Sequence, residues 1–134
     1  MSLPAYIPVS QVMRKEVTFV SGLTSVFDAL RIMKKVQATS LIVEKRHETD
    51  EYGMLLFSDI AKQVLARDRA PERVNVYEIM AKPVIAVRPA MDVRYCARLF
   101  DNFGISHAPV IEDDNVVGIV SYYLLVLEGL PDLD

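Results

Sequence analysis

The chain has 134 residues, half of them apolar and a quarter charged, with a net charge of −3 and a pI near 5.4. That balance excludes a disordered or fibrous chain, and the scatter of Lys and Arg excludes a general affinity for nucleic acid or anionic membranes, which needs clustered cations. No apolar run approaches the ~20 residues of a membrane-spanning helix, and Met1-Ser2-Leu3-Pro4 lacks the basic and apolar parts of a signal peptide.

In chain order, a short helical turn over Val9 to Met13 precedes a β segment over Val17 to Val20 and a polar break at Ser21-Gly22. Apolar residues at Val26, Ala29, Leu30 and Met33 then predict an amphipathic helix from Ser25, its N-cap, to Val36. Two β segments follow, Leu41 to Val43 and Tyr52 to Leu56, and a closing helix runs from Ser58 to Arg67. After the polar linker Asp68 to Arg73 the same order returns: a turn over Val76 to Met80 with Asn75 as its cap, and a β segment from Val84 to Val87. A helix from Asp92 to Phe103 comes next, then β segments Ala108 to Ile111 and Val116 to Val120 around Glu112-Asp113-Asp114-Asn115, and a closing helix from Tyr122 to Leu130.

The recurrence is in register. Met13 matches Met80, Val17 matches Val84, and the helical set Val26, Ala29, Leu30, Met33 matches Val93, Cys96, Ala97, Phe100 at one constant spacing. Each copy ends in a glycine-led strand, Gly53-Met54-Leu55-Leu56 and Gly118-Ile119-Val120-Ser121. An internal repeat of this kind sets the fold before any other signal. The repeats divide as 1–68 and 69–134. A lone copy would bury only ~60% of its unfolded surface against ~68% for the pair, so the copies are expected to share a core. Cys96, the single cysteine, takes the small helical position of Ala29 and reads as a core residue in a reducing cytoplasm.

The order β, α, β, β, α given twice, the Met13 and Met80 turns, the segment Ser106-His107-Ala108-Pro109-Val110 and the glycine-led end strands resemble a tandem CBS-domain pair, or Bateman module, of the stand-alone bacterial or archaeal type. The resemblance implies an α/β (α+β) fold of two β-α-β-β-α repeats packed about a pseudo-twofold axis. It also implies two clefts between the copies that take adenosine-containing ligands: AMP, ADP, ATP or S-adenosylmethionine. In that family each end strand runs into a Ser or Thr and, three residues on, an Asp, whose hydroxyl and carboxylate serve the ribose. Each copy here keeps half of the pattern: Leu56 with Asp59, and Ser121 with Leu124.

Carried over, the first cleft holds Asp59 for the ribose, Met54 and Ile85 against the base, and Ser106 and His107, ahead of Pro109, towards the phosphates. The second, weaker cleft has Ser121 with Thr18, Phe19, Thr39 and Ser40, and Ile42 at its missing proline position. A leucine facing a ribose strands hydroxyls at ~1–3 kcal/mol each, so this cleft is expected to be empty or to hold something less polar. Asp59 and Ser121 read also as helix caps, and His107 as a satisfied structural histidine.

The closing helix, Tyr122-Tyr123-Leu124-Leu125-Val126-Leu127, is apolar nearly all round and needs cover on more than one side. In the family such helices meet a second chain, which implies a homodimer; the other reading packs the helix between the copies. The expected function is a regulatory module that senses an adenine nucleotide and signals through its conformation or its dimer. The alternative is a ligand-independent interaction module with degenerate sites, for an unidentified regulated protein. No HExxH, P-loop, G-x-S-x-G or Cys/His metal spacing points to an enzyme, a catalytic cofactor or a metal.

Overall fold

The computed structural model describes residues 6–130, so the expectation for Met1 to Pro4 lies outside the described residues. The chain divides into two compact units. The middle unit is Thr18–Val84, and the split unit joins the described part of Met1–Val17 to that of Ile85–Asp134. Among the described residues no helix is long and apolar enough to cross a membrane.

In the middle unit, β1 (Phe19–Val20) lies parallel to β2 (Ser40–Val43), which pairs antiparallel with β3 (Gly53–Leu56). Helix α1 (Val26–Val36) connects β1 to β2. The Ser25 side chain accepts the Asp28 N–H at its start, and Gln37 closes it with a left-handed φ of 55°. After β3 come α2 (Phe57–Ile60), a π-turn over Ala61–Leu65, and 3-10 turns at Pro71–Arg73 and Val76–Glu78. At the last turn the Glu78 carboxylate accepts the Asn75 N–H at 2.7 Å, so the reach-back acid does the capping, and the Asn75 side chain does not. Val26, Ala29, Met33, Leu41 and Leu55 centre the core of this unit.

The split unit repeats the pattern with α3 (Val93–Phe103), β4 (His107–Glu112), β5 (Asn115–Ser121) and α4 (Tyr122–Gly129). The Asp92 side chain caps α3 through the Arg94 N–H, and Gly104 ends the helix at φ 64°. Asp113 and Asp114, at φ 50° and 65°, make the tight turn between β4 and β5, with the positive φ at both central residues that a two-residue hairpin favours. Cys96 is fully buried beside Phe100, and burial pushes its thiol up to about 11.

The strand expected over Val84 to Val87 is a correction: only a single bridge forms, between Val87 and Val110. Its cause is Pro109. In the middle unit the Ile42 N–H donates to the Thr18 carbonyl and the Glu44 N–H to the Val20 carbonyl. In the split unit Ile111 still donates to Val87, but the position matching Ile42 is Pro109, which has no N–H to offer Ile85. The ladder loses one rung and the strand shrinks to a bridge.

The glycines that open the two end patterns make room for a neighbouring turn. Met54 and Ala81 exchange two hydrogen bonds at 2.9 Å each, and so do Ile119 and Arg14. A Cβ on Gly53 would lie 2.7 Å from the Met80 sulfur, and one on Gly118 would lie 2.6 Å from that of Met13. So the Met80 turn docks on the first repeat's end strand and the Met13 turn on the second's. Each sequence repeat lends its opening turn to the unit built on the other repeat.

Candidate functional site

In the middle unit, the starts of β1 and β2, the end of β3 and the start of α2 meet at one end of the sheet. Phe19 lies opposite Ile42, Ser40 opposite Leu56, and Met54 opposite Ile42. Thr18 accepts the Ile42 N–H, and the Thr39 carbonyl accepts from Phe57. This end therefore gathers Thr18, Phe19, Thr39, Ser40 and Asp59. Ser40 is the one buried polar residue among those described, and Met54 is buried also.

Asp59 is half-buried at the third position of α2, where its Oδ2 accepts the Leu56 N–H at 2.9 Å. Burial raises its carboxyl above the usual carboxylate range, and the bond from Leu56 partly opposes that rise. Leu56, at the N-cap, has no side-chain acceptor to return.

The split unit builds the same end from β4, β5 and the start of α4. His107 lies directly opposite Ser121 in the ladder. Its Nδ1 is 2.9 Å from the Ser106 hydroxyl, and the Ser106 carbonyl accepts the Tyr122 N–H. The ring is half-buried, and desolvation holds its pKa below the usual histidine value, so it is neutral at pH 7. Ser121 Oγ accepts the Leu124 N–H at 3.3 Å, capping α4. Pro109 is buried two residues into the ladder from His107, and Ile85 lies on the segment just ahead of the Val87 bridge.

The half-patterns noted in the sequence are the two halves of one capping box. The first copy keeps the acid that reaches back, Asp59, and the second keeps the hydroxyl that reaches forward, Ser121. Both residues are at work as caps without a ligand. Within a unit the residues group by sheet end: Asp59 stands with Thr18, Phe19, Thr39 and Ser40, and His107 with Ser106 and Ser121. The first set is thus divided, with Met54 and Asp59 in the middle unit and Ile85, Ser106, His107 and Pro109 in the split unit.

Helix α4 shows one apolar face to its own unit and another to solvent. Leu125 and Gly129 are buried, whereas Tyr123 is 70% exposed, and Tyr122, Val126 and Leu127 are exposed as well. Among the described residues no group of His, Cys, Asp and Glu could hold a metal ion.

Sequence reasoning missed a cavity of about 720 Å³ in the middle unit, at the end of the sheet away from these residues, beside Ser21, Val43, Arg46, Tyr77 and Lys82. Its signal was the charge-rich segment Glu44 to Glu51, two residues longer than its counterpart before the glycine-led strand, which reads as a solvated loop.

A family model described as "CBS domain" matches residues 9–66 and again 76–126. Among curated proteins, the chain is 25% identical over 116 residues to the uncharacterized protein MJ0450 of Methanocaldococcus jannaschii, covering 86% of this chain and 62% of that protein. The chain spans 62%, 43% and 59% of the length of three curated relatives that it matches. Among solved structures, the hexameric CBS-CP12 protein from bloom-forming cyanobacteria is 38% identical with a TM-score of 0.90, over 92% of this chain and 71% of that one. The CBS domain pair of protein MJ0100, in complex with 5′-methylthioadenosine and S-adenosyl-L-methionine, is 26% identical with a TM-score of 0.76, over 89% and 96%.

Proposed function

Because the chain belongs to the CBS domain family, we propose that it is a regulatory, non-catalytic module that binds an adenosine-containing nucleotide, AMP, ADP, ATP or S-adenosylmethionine, and signals occupancy by a change in its conformation or its dimer. The observation that carries this reading is the likeness to a CBS pair solved with methylthioadenosine and S-adenosylmethionine, which runs over nearly the whole of both chains. Asp59 fits the ribose role, since only its Oδ2 is taken by Leu56 and a carboxylate offers further acceptor sites. Ser106 and His107 suit a phosphate, whose charge would draw a proton onto the neutral imidazole. Met54, Ile85 and Pro109 complete the first set; Thr18, Phe19, Thr39, Ser40 and Ser121 form the second and weaker one. Signalling of this kind requires a ligand with different affinities for two arrangements.

The exposed apolar face of α4 is assigned to a second copy of the chain, giving a homodimer. A cytoplasmic setting accords with the buried free thiol of Cys96. Isothermal titration with AMP, ADP, ATP and S-adenosylmethionine tests the nucleotide reading. Heat with at least one of them, weakened in Asp59→Ala, supports it; no heat and no thermal shift with any of them refutes it.

The split capping box favours a second reading, a ligand-independent interaction module serving an unidentified regulated protein, because Asp59 and Ser121 are already used as caps. On that reading nucleotides leave both stability and oligomeric state unchanged.

A further inference from the structure

The cavity of about 720 Å³ in the middle unit lies at the sheet end opposite the nucleotide-motif residues. It opens where β1 and β2 finish, at Ser21 and Val43, whereas Thr18, Thr39 and Ser40 stand where those strands begin. Its size falls in the range of pockets that take small organic ligands, about 300–1,000 Å³. The lining has two chemistries. One is apolar, made by Leu23, Val43, Met80 and the half-exposed Tyr77 ring. It is fixed in place, because the Tyr77 N–H donates to the Gly22 carbonyl and the Val76 N–H to the Thr24 carbonyl.

The other part of the lining is charged, with Lys45, Arg46 and Lys82 against a single lining acid, Glu44. Behind it Asp50 sets the positions of two of these cations. Its side chain is only 8% exposed, and Oδ2 alone accepts from Lys82 Nζ at 2.8 Å, from the Arg46 backbone N–H at 2.8 Å and from Arg46 Nε at 3.2 Å. The Lys82 ammonium beside it holds the Asp50 carboxyl well below the usual carboxylate range, so it stays charged.

One carboxylate thus orients two cations and neutralises only one of them. With its Nε committed, the planar guanidinium of Arg46 keeps its Nη edge for an oxyanion, since such an edge binds carboxylate or phosphate with two parallel bonds. Lys82, with one bond to Asp50, retains two further donors. With Glu44 and Asp50 set against Lys45, Arg46 and Lys82, the lining keeps one positive charge, in a chain of net charge −3.

We propose that the middle unit carries a ligand site at this cavity, for a small molecule with an apolar or aromatic body and one anionic end, a carboxylate or a phosphate. The body lies on Leu23, Val43, Met80 and Tyr77, and the anion meets Arg46 and Lys82. The site shares no residue with the nucleotide sets and does not depend on them.

The test is a titration of the whole chain, followed by amide proton–nitrogen correlation spectra, with naphthoate and naphthyl phosphate as the carboxylate and phosphate probes. Naphthalene methanol and inorganic phosphate serve as the body-only and charge-only controls. Saturable shifts at Gly22, Leu23, Arg46, Tyr77 and Lys82 with at least one probe, about tenfold weaker with both controls, support the site, since a guanidinium–oxyanion pair supplies that difference. Arg46→Gln, at a side chain 75% exposed, is expected to weaken that probe at least about fivefold, and Leu23→Asp to abolish its binding, while Asp59→Ala leaves it unchanged. Any of four results overturns the proposal: no saturable shift with either probe, equal binding of either control, undiminished binding by Arg46→Gln, or shifts centred on Thr18, Ser40 and Asp59.

Discussion

Replacing Gly118 by alanine tests the docking of the Met13 turn, and its cost follows from three distances. The new Cβ would lie 2.6 Å from the Met13 sulfur, 2.9 Å from Met13 Cγ and 2.9 Å from the Arg14 carbonyl oxygen. The thioether can swing aside, but the carbonyl cannot, because it accepts the N–H of Ile119, the residue next to the substitution. Ordinary contact requires the turn to retreat by about half an ångström. That strains both hydrogen bonds of the Arg14–Ile119 bridge, each worth about 0.5–1.5 kcal/mol, and overpacking around Met13 adds about 1–3 kcal/mol. Alanine returns about 0.4–1 kcal/mol by stiffening the unfolded chain, leaving a net loss near 3 kcal/mol.

Gly53 is the internal control. Its Cβ would meet the Met80 sulfur at 2.7 Å, but the nearest backbone atom, the Ala81 carbonyl oxygen, is 3.3 Å away. The flexible Met80 tip has to swing aside, whereas Val43 Cβ, at 3.2 Å, and the Ala81 oxygen have only to give by a few tenths of an ångström, so Gly53→Ala should cost about 1 kcal/mol. Urea unfolding followed by far-ultraviolet circular dichroism, compared at equal slope, should show a gap of about 2 kcal/mol between the two variants. Equal stability, or Gly53→Ala as the worse of the two, would refute the reasoning.

Pro109→Val restores the missing donor, so an amide at position 109 should exchange slowly as it bonds the Ile85 carbonyl; free exchange there would show that proline is not what shortens the strand. Ser121→Ala removes the cap of α4 and should cost about 1 kcal/mol in the same unfolding assay. Because burial lowers the His107 pKa in the fold, the unfolded chain binds more protons just below pH 6.5, and stability falls as pH drops from there towards the folded value. His107→Gln should remove that slope, which unfolding midpoints measured over this window will show. Leu127→Glu, on the exposed face of α4, should convert a dimer to monomer in sedimentation velocity; an unchanged mass would separate that face from assembly.

The two long helices were legible because their signals are local. Ser25 and Asp92 cap them, and Gln37 and Gly104 end them at matching positions. The failed strand was also written in the sequence, but only in the pairing of Ile42 with Pro109, since its donor is missing from the partner strand and not from the Val84 to Val87 segment itself. Which turn docks on which glycine was not legible, because Met13 and Met80 are equivalent in sequence and differ only in the strand that the chain brings to them. The cavity was hidden for a similar reason: Asp50 reads as one more loop charge until Lys82, distant in sequence, is seen donating to it.

The exchange of opening turns has a consequence for how the protein is made. Thr18–Val84 is continuous, so every residue of the middle unit is synthesised before β4 and β5. Arg14, the edge partner of Ile119, waits until β5 has been made, about a hundred residues after it. Domains complete on a growing chain in the order their residues appear. The unit that holds the Met13 turn is therefore the second of the two to finish, and His107 and Ser121 come to face each other only with it.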